Sequence, residues 1–104
     1  MELKVNGISR GEGRVCLEID KHPTTSLFFL IETFKHFNKR VPDFADEFSP
    51  IMEMNDVVEC WDGDDKPSII ICYGEKVINV IIHTSEEEIN KFLEKVRIVR
   101  EDNI

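Results

Sequence analysis

Three cysteines, three histidines and a run of carboxylates around the single tryptophan carry most of the reactive chemistry of this 104-residue chain. The run is densest at "ECWDGDDKP", residues 59–67, where Trp61 stands beside Glu59, Asp62, Asp64 and Asp65 and next to Cys60. Three chemistries would use such a stretch: a divalent-cation loop, a catalytic carboxylate or thiol, and an acidic grip on a basic partner. A calcium loop of the EF-hand kind needs oxygen ligands at positions 1, 3 and 5, a glycine at 6 and a glutamate at 12. "DGDDKP" puts its glycine second and a lysine fifth, so neither a metal nor a cofactor is expected. Cys16, Cys60 and Cys72 are odd in number and contain no C-x-x-C, which argues against a zinc knuckle and a disulfide framework. No G-x-S-x-G, H-E-x-x-H or phosphate-loop pattern occurs. Nothing in the spacing selects a base for any thiol among His22, His36 and His83. The residue pattern therefore reads as non-enzymatic.

Charge is the more informative feature. Thirteen Lys and Arg against twenty-one Asp and Glu give a net charge of −8. Nine of the acids, Asp43, Asp46, Glu47, Glu53, Asp56, Glu59, Asp62, Asp64 and Asp65, fall in one stretch with no Lys or Arg, leaving the rest of the chain with thirteen basic and twelve acidic residues. Such a field repels nucleic acid and anionic membrane and attracts a basic protein surface. The expected partner-binding set is Asp46, Glu47, Phe48, Glu53, Asp56, Glu59, Trp61, Asp62, Asp64 and Asp65, with the carboxylates supplying the field and Trp61 or Phe48 the apolar contact.

The elements that must position these residues follow from periodicity. "LKVNGIS" and "RVCLEID" read as two strands around "GEG", with Gly13 left-handed, Val5 opposite Ile19 and Gly7 opposite Leu17. Val15, Leu17 and Ile19 share one face; Arg14, Cys16 and Glu18 share the other. "PTTSLFFLIETFKHFNKRV" switches to helical spacing at Leu27, Leu30, Ile31, Phe34 and Phe37, with Thr24 or Thr25 as cap, Lys35, Lys39 and Arg40 in the last turns, and Pro42 as the stop. "DFADEFSPIMEMND" is either a short helical turn or an ordered loop, with Phe44, Phe48 and Met52 as anchors.

Three antiparallel strands are expected from Val57 onward. A type II′ turn at Gly74-Glu75 would pair Ile71 with Ile78 and Ile69 with Val80. Ile69, Ile71, Ile78, Val80 and Ile82 then form the core face, and Ser68, Ile70, Cys72, Val77, Asn79, Ile81 and His83 a half-polar reverse face. Trp61 is core if the paired positions around its loop sum to an even number, and joins the reverse face if they sum to an odd one. "TSEEEINKFLEKVRIV" is a second helix capped by Ser85, with Glu88 completing a capping box and Ile89, Phe92, Leu93 and Val96 buried. The fold class is therefore α+β, in the order β-β-α-β-β-β-α: one domain over 1–104, with a mostly antiparallel sheet and two helices packed on one of its faces.

The function expected from charge, size and missing motifs is a cytoplasmic, bacterial protein-binding inhibitor of the toxin-immunity kind, neutralising a basic nuclease-type toxin domain. The N-terminus lacks a signal pattern and no apolar run approaches a membrane span. Two alternatives compete with it. One is a phage-type inhibitor that imitates nucleic acid; the other is a small enzyme or ligand-binding domain with a pocket near Cys60, Cys72 and His83, for which Asp62 is a further candidate. A homo-oligomer formed through the face around Ile70, Ile81 and Asn79 is compatible with any of them.

Overall fold

A computed structural model describes residues 2–41, 55–61, 63 and 65–99. The elements run β1 (Leu3–Val5), β2 (Gly7–Gly11), β3 (Arg14–Asp20), α1 (Pro23–His36), β4 (Val57–Trp61), β5 (Ser68–Tyr73), β6 (Val77–His83), α2 (Glu86–Leu93) and β7 (Val96–Ile98). The fold is α+β. Five strands form an antiparallel sheet in the order β2-β3-β6-β5-β4, and β1 pairs with β7 in a small parallel sheet. No described helix is long and apolar enough to cross a membrane.

One face of the sheet is fully sealed. Val15, Leu17 and Ile19 stand opposite Ile82, Val80 and Ile78, and Ile69 and Ile71 continue the layer on β5, all at most 1% exposed. Alternation along each strand puts these β-branched and leucine side chains on one side, and the two helices cover them. From α1 come Phe29, Leu30, Phe34 and the small buried Ser26 and Thr33, and from α2 come Ile89 and Phe92. The α1 stripe is rotated from the expected one: Leu27 and Ile31 are only half-buried, while Ser26 and Thr33 take the centre. Their hydroxyls bond the backbone at Asp20 O and Phe29 O, which lets small polar residues occupy the closest helix–sheet approach.

Several local expectations are corrected. The first hairpin closes on two loop residues, Glu12 and Gly13, with Gly11 opposite Arg14, Gly7 opposite Glu18 and Ile8 opposite Leu17. Gly13 is left-handed at φ 65° as expected, but its N–H and C=O are held by Glu86 Oε1 (2.8 Å) and Thr84 N (3.1 Å), anchoring the turn to the start of α2. The chain changes sheet at Asn6, so "LKVNGIS" is two strands. Neither Thr24 nor Thr25 caps α1. His22 does, with Pro23 in the first helical turn, where a missing N–H costs nothing. The helix ends at His36, ahead of Lys39 and Arg40, because Asn38 turns left-handed at φ 56°; Pro42 lies outside the described residues.

The β5–β6 loop is Glu75-Lys76. Ile71 pairs with Val80 and Ile69 with Ile82, two residues from the expected register, so the faces are unchanged. Gly74 closes the ladder rather than making a positive-φ turn; a Cβ there would lie 2.9 Å from Val77 O. Ser85 caps α2 through Glu88 N at 3.3 Å, while the Glu88 carboxylate lies 3.8 Å from Lys91. Val96 leaves the helix for β7, pairing with Leu3. This last strand is absent from the expected order.

His36 joins the aromatic end of the core, its ring 4.8 Å from Phe37 and 5.1 Å from Phe92. Burial first, then nearby Lys95, hold its pKa below the ordinary 6.5, with Glu88 opposing. The unfolded chain therefore binds this proton more readily than the folded one, and the contribution present above pH 6.5 is lost as pH falls toward the folded pKa. Urea unfolding at pH 7.5 and 5.5 should show a larger loss for the native chain than for His36→Phe. Equal losses would remove His36 as the cause.

Candidate functional site

The acidic stretch enters the sheet as β4, an edge strand with β5 as its one neighbour among the described residues. Its register, Trp61 opposite Ile69, Glu59 opposite Ile71 and Val57 opposite Tyr73, gives an even sum. Trp61 therefore lies on the helix side. It is partly buried, with its ring edge-on to Phe34 at 5.6 Å, and its Nε1 is shielded with no hydrogen-bond partner among the described residues. Glu59 is half-buried on the same side.

The strand is bracketed by exposed acids, Asp56 before it and Asp65 after it. Asp56 is left-handed at φ 57° and donates its N–H to Tyr73 O at 2.8 Å, which fixes where the strand starts. Between these acids Val57 is 37% and Val58 64% exposed, an apolar pair that neither periodicity nor charge singled out. Of the expected partner-binding set, Asp56, Glu59, Trp61 and Asp65 are thus brought to one sheet edge. Asp46, Glu47, Phe48, Glu53, Asp62 and Asp64 lie outside the described residues, as do Phe44 and Met52.

The thiols share the other face. Cys60 is exposed, Cys72 and Cys16 are half-buried, and Cys16 Sγ lies 3.9 Å from Asn79 Oδ1. Burial, then Cys72, then Glu18 push the Cys16 thiol up from its ordinary value, against a lowering by Arg14, so it stays protonated and unreactive near neutrality. Cys60 and His83 line a common hollow of about 280 Å³ with Gly63, Lys66, Ser68 and Ile70; Cys72 is not in its wall. Cys60 is on β4 and His83 on β6, with β5 between them and His83 two positions off the Cys60 row, so their backbones stand roughly 12 Å apart at ordinary spacings. Among the described residues no three metal-ligating side chains converge.

Set beside known proteins, the chain matches no family model, no curated protein and no solved structure. Its chemistry has to be read from its own surface. That surface offers an edge strand with exposed valines between carboxylates, and a thiol-bearing sheet face on which Cys60 and His83 line one hollow.

Proposed function

We propose that this chain is an acidic protein-binding inhibitor domain of the toxin-immunity kind, which docks the stretch from Asp43 to Asp65 onto a basic, nuclease-type toxin domain. The observation that carries the reading is charge segregation: nine carboxylates with no intervening cation on a chain otherwise nearly neutral. Carboxylates at such density stand where a partner's phosphate-binding cations expect negative charge, and they steer association. Exposed Val58, with Val57 on the opposite side of the same edge strand, supports it, since apolar contact beside charged residues is the usual composition of an interface.

Capture from the native host with tagged protein, at low and then moderate salt, tests the reading. A basic protein should be retained at low salt and released as salt rises, and the triple variant Asp62→Lys, Asp64→Lys, Asp65→Lys should lose it. Capture unchanged by the triple reversal would remove the acidic loop as the epitope.

A further inference from the structure

The face of the five-stranded sheet opposite α1 and α2 carries a second set of features. Its middle row runs Ser9, Cys16, Ile81, Ile70 and Cys60 across all five strands, apolar at the centre and half-buried from Cys16 to Ile70. Arg14 and Glu18 flank this row on β3, one two residues before Cys16 and the other two after. Both are exposed, and among the described residues neither makes an ion pair. Unpaired opposite charges placed symmetrically about an apolar row are what a surface needs in order to complement itself.

The shape repeats the pattern. The Arg14 guanidinium lies over Gly11, within 2.9 Å of where a Cβ would stand, so it forms a knob above the β2–β3 end of the face. At the equivalent place beyond the middle row is a hollow of about 260 Å³, walled by Gly7, Ser9, Cys16, Glu18 and Asn79. The space above Gly7 is open, with nothing within 4 Å of its notional Cβ. Turning the face about an axis along the middle row carries Arg14 and Gly11 onto Glu18 and Gly7. The knob of one copy enters the hollow of the other, twice.

We propose that this face is a self-association surface, on which a second copy of the chain stacks about a two-fold axis perpendicular to the strands, with Arg14 of each copy paired to Glu18 of the other. Ile81 and Ile70 meet their own counterparts across the two sheets, in the aligned packing that twisted sheets prefer. Five strands by five residues give a footprint of about 400 Å² per copy at ordinary spacings, about 800 Å² in all, below the roughly 1,200 Å² of stable interfaces and in the range of weak, transient ones. The dimer is therefore expected to be a weak one that forms as concentration rises. The face takes in Cys60 and Val58 of the edge strand, so a dimer would cover Val58, but its charge pair is Arg14 with Glu18 on β3 and it is measured without any partner.

Sedimentation equilibrium from about 5 to 500 μM should show the mass rising from 12.1 kDa toward twice that value. Arg14→Glu and Glu18→Arg should each weaken the dimer roughly tenfold, and the double swap should restore it to within a few-fold of the native chain. Both sites are exposed, so circular dichroism of the single variants should be native. A monomer at every concentration, or a double swap no stronger than the singles, would overturn the proposal.

Discussion

Phe92→Ala should cost about 3–5 kcal/mol of folding stability, a large part of the roughly 5–15 kcal/mol that holds a domain of this size. Phe92 is completely buried and its ring meets three others: Phe29 at 6.5 Å edge-on, Phe37 at 5.2 Å and His36 at 5.1 Å. Helix α2 has eight residues, too few to persist alone, and Ile89 is its only other fully buried side chain. Truncation leaves a cavity between α1 and α2 that neither can close, since α2 is pinned at its start by Glu86 to Arg10 (2.6 Å) and the Gly13 amide. Phe28→Ala on the outer flank of α1, where the ring is 39% exposed, should cost about 1 kcal/mol or less. Urea midpoints of the two variants give the comparison. Equal midpoints would mean that α2 is not held through Phe92. The cavity should also rehydrate His36, shrinking the difference between pH 7.5 and 5.5.

The architecture was legible in this sequence because one signal repeats in the three central strands, β3, β5 and β6. Val15, Leu17, Ile19, Ile69, Ile71, Ile78, Val80 and Ile82 alternate so regularly that a two-residue slip between β5 and β6 leaves the same faces buried. Turn details were not legible, because they depend on contacts distant in sequence. The first hairpin takes its register with Gly13 held by Thr84 and Glu86, more than seventy residues away. Strand β7 escaped for a similar reason: "VRI" continues a helical pattern and becomes a strand only because β1 offers it an edge, with Leu3 N bonding Lys95 O at 2.7 Å and Val99 N bonding Val5 O at 2.8 Å. His22 displaced the threonines as cap because Pro23 suits the first helical turn, which places the cap one residue earlier.

The candidate site was legible in charge but not in shape. Counting carboxylates located the acidic stretch. It did not reveal that the stretch arrives at a sheet edge, or that Val57 and Val58 stand open between its acids. The reverse face was recognisable as half-polar from alternation alone. The match between the Arg14 knob and the Gly7 hollow needed the β2–β3 register, which the sequence-based pairing missed by one residue.

Trp61→Ala should cost about 3 kcal/mol, whereas Trp61→Phe should lie within about 1 kcal/mol of the native chain. The two substitutions separate what the indole does as a ring from what it does as a donor. As a ring it covers the edge of the core against Phe34, and alanine forfeits that contact and its buried area. As a donor, Nε1 is shielded without a partner among the described residues, a group whose desolvation costs about 1–3 kcal/mol. Phenylalanine keeps the edge-on contact and removes the unsatisfied N–H, so relief of that cost offsets the smaller ring. The pair also divides packing from binding. If the indole anchors a partner, Trp61→Phe should weaken capture while its urea midpoint stays native, because the lost group is a donor that the fold does not use. If Trp61 acts only as the lid of the core, Trp61→Phe should bind as the native chain does, and Trp61→Ala should lose capture only in proportion to its unfolding. A Trp61→Phe variant destabilised as severely as Trp61→Ala would show that Nε1 is satisfied in solution and contributes to the fold.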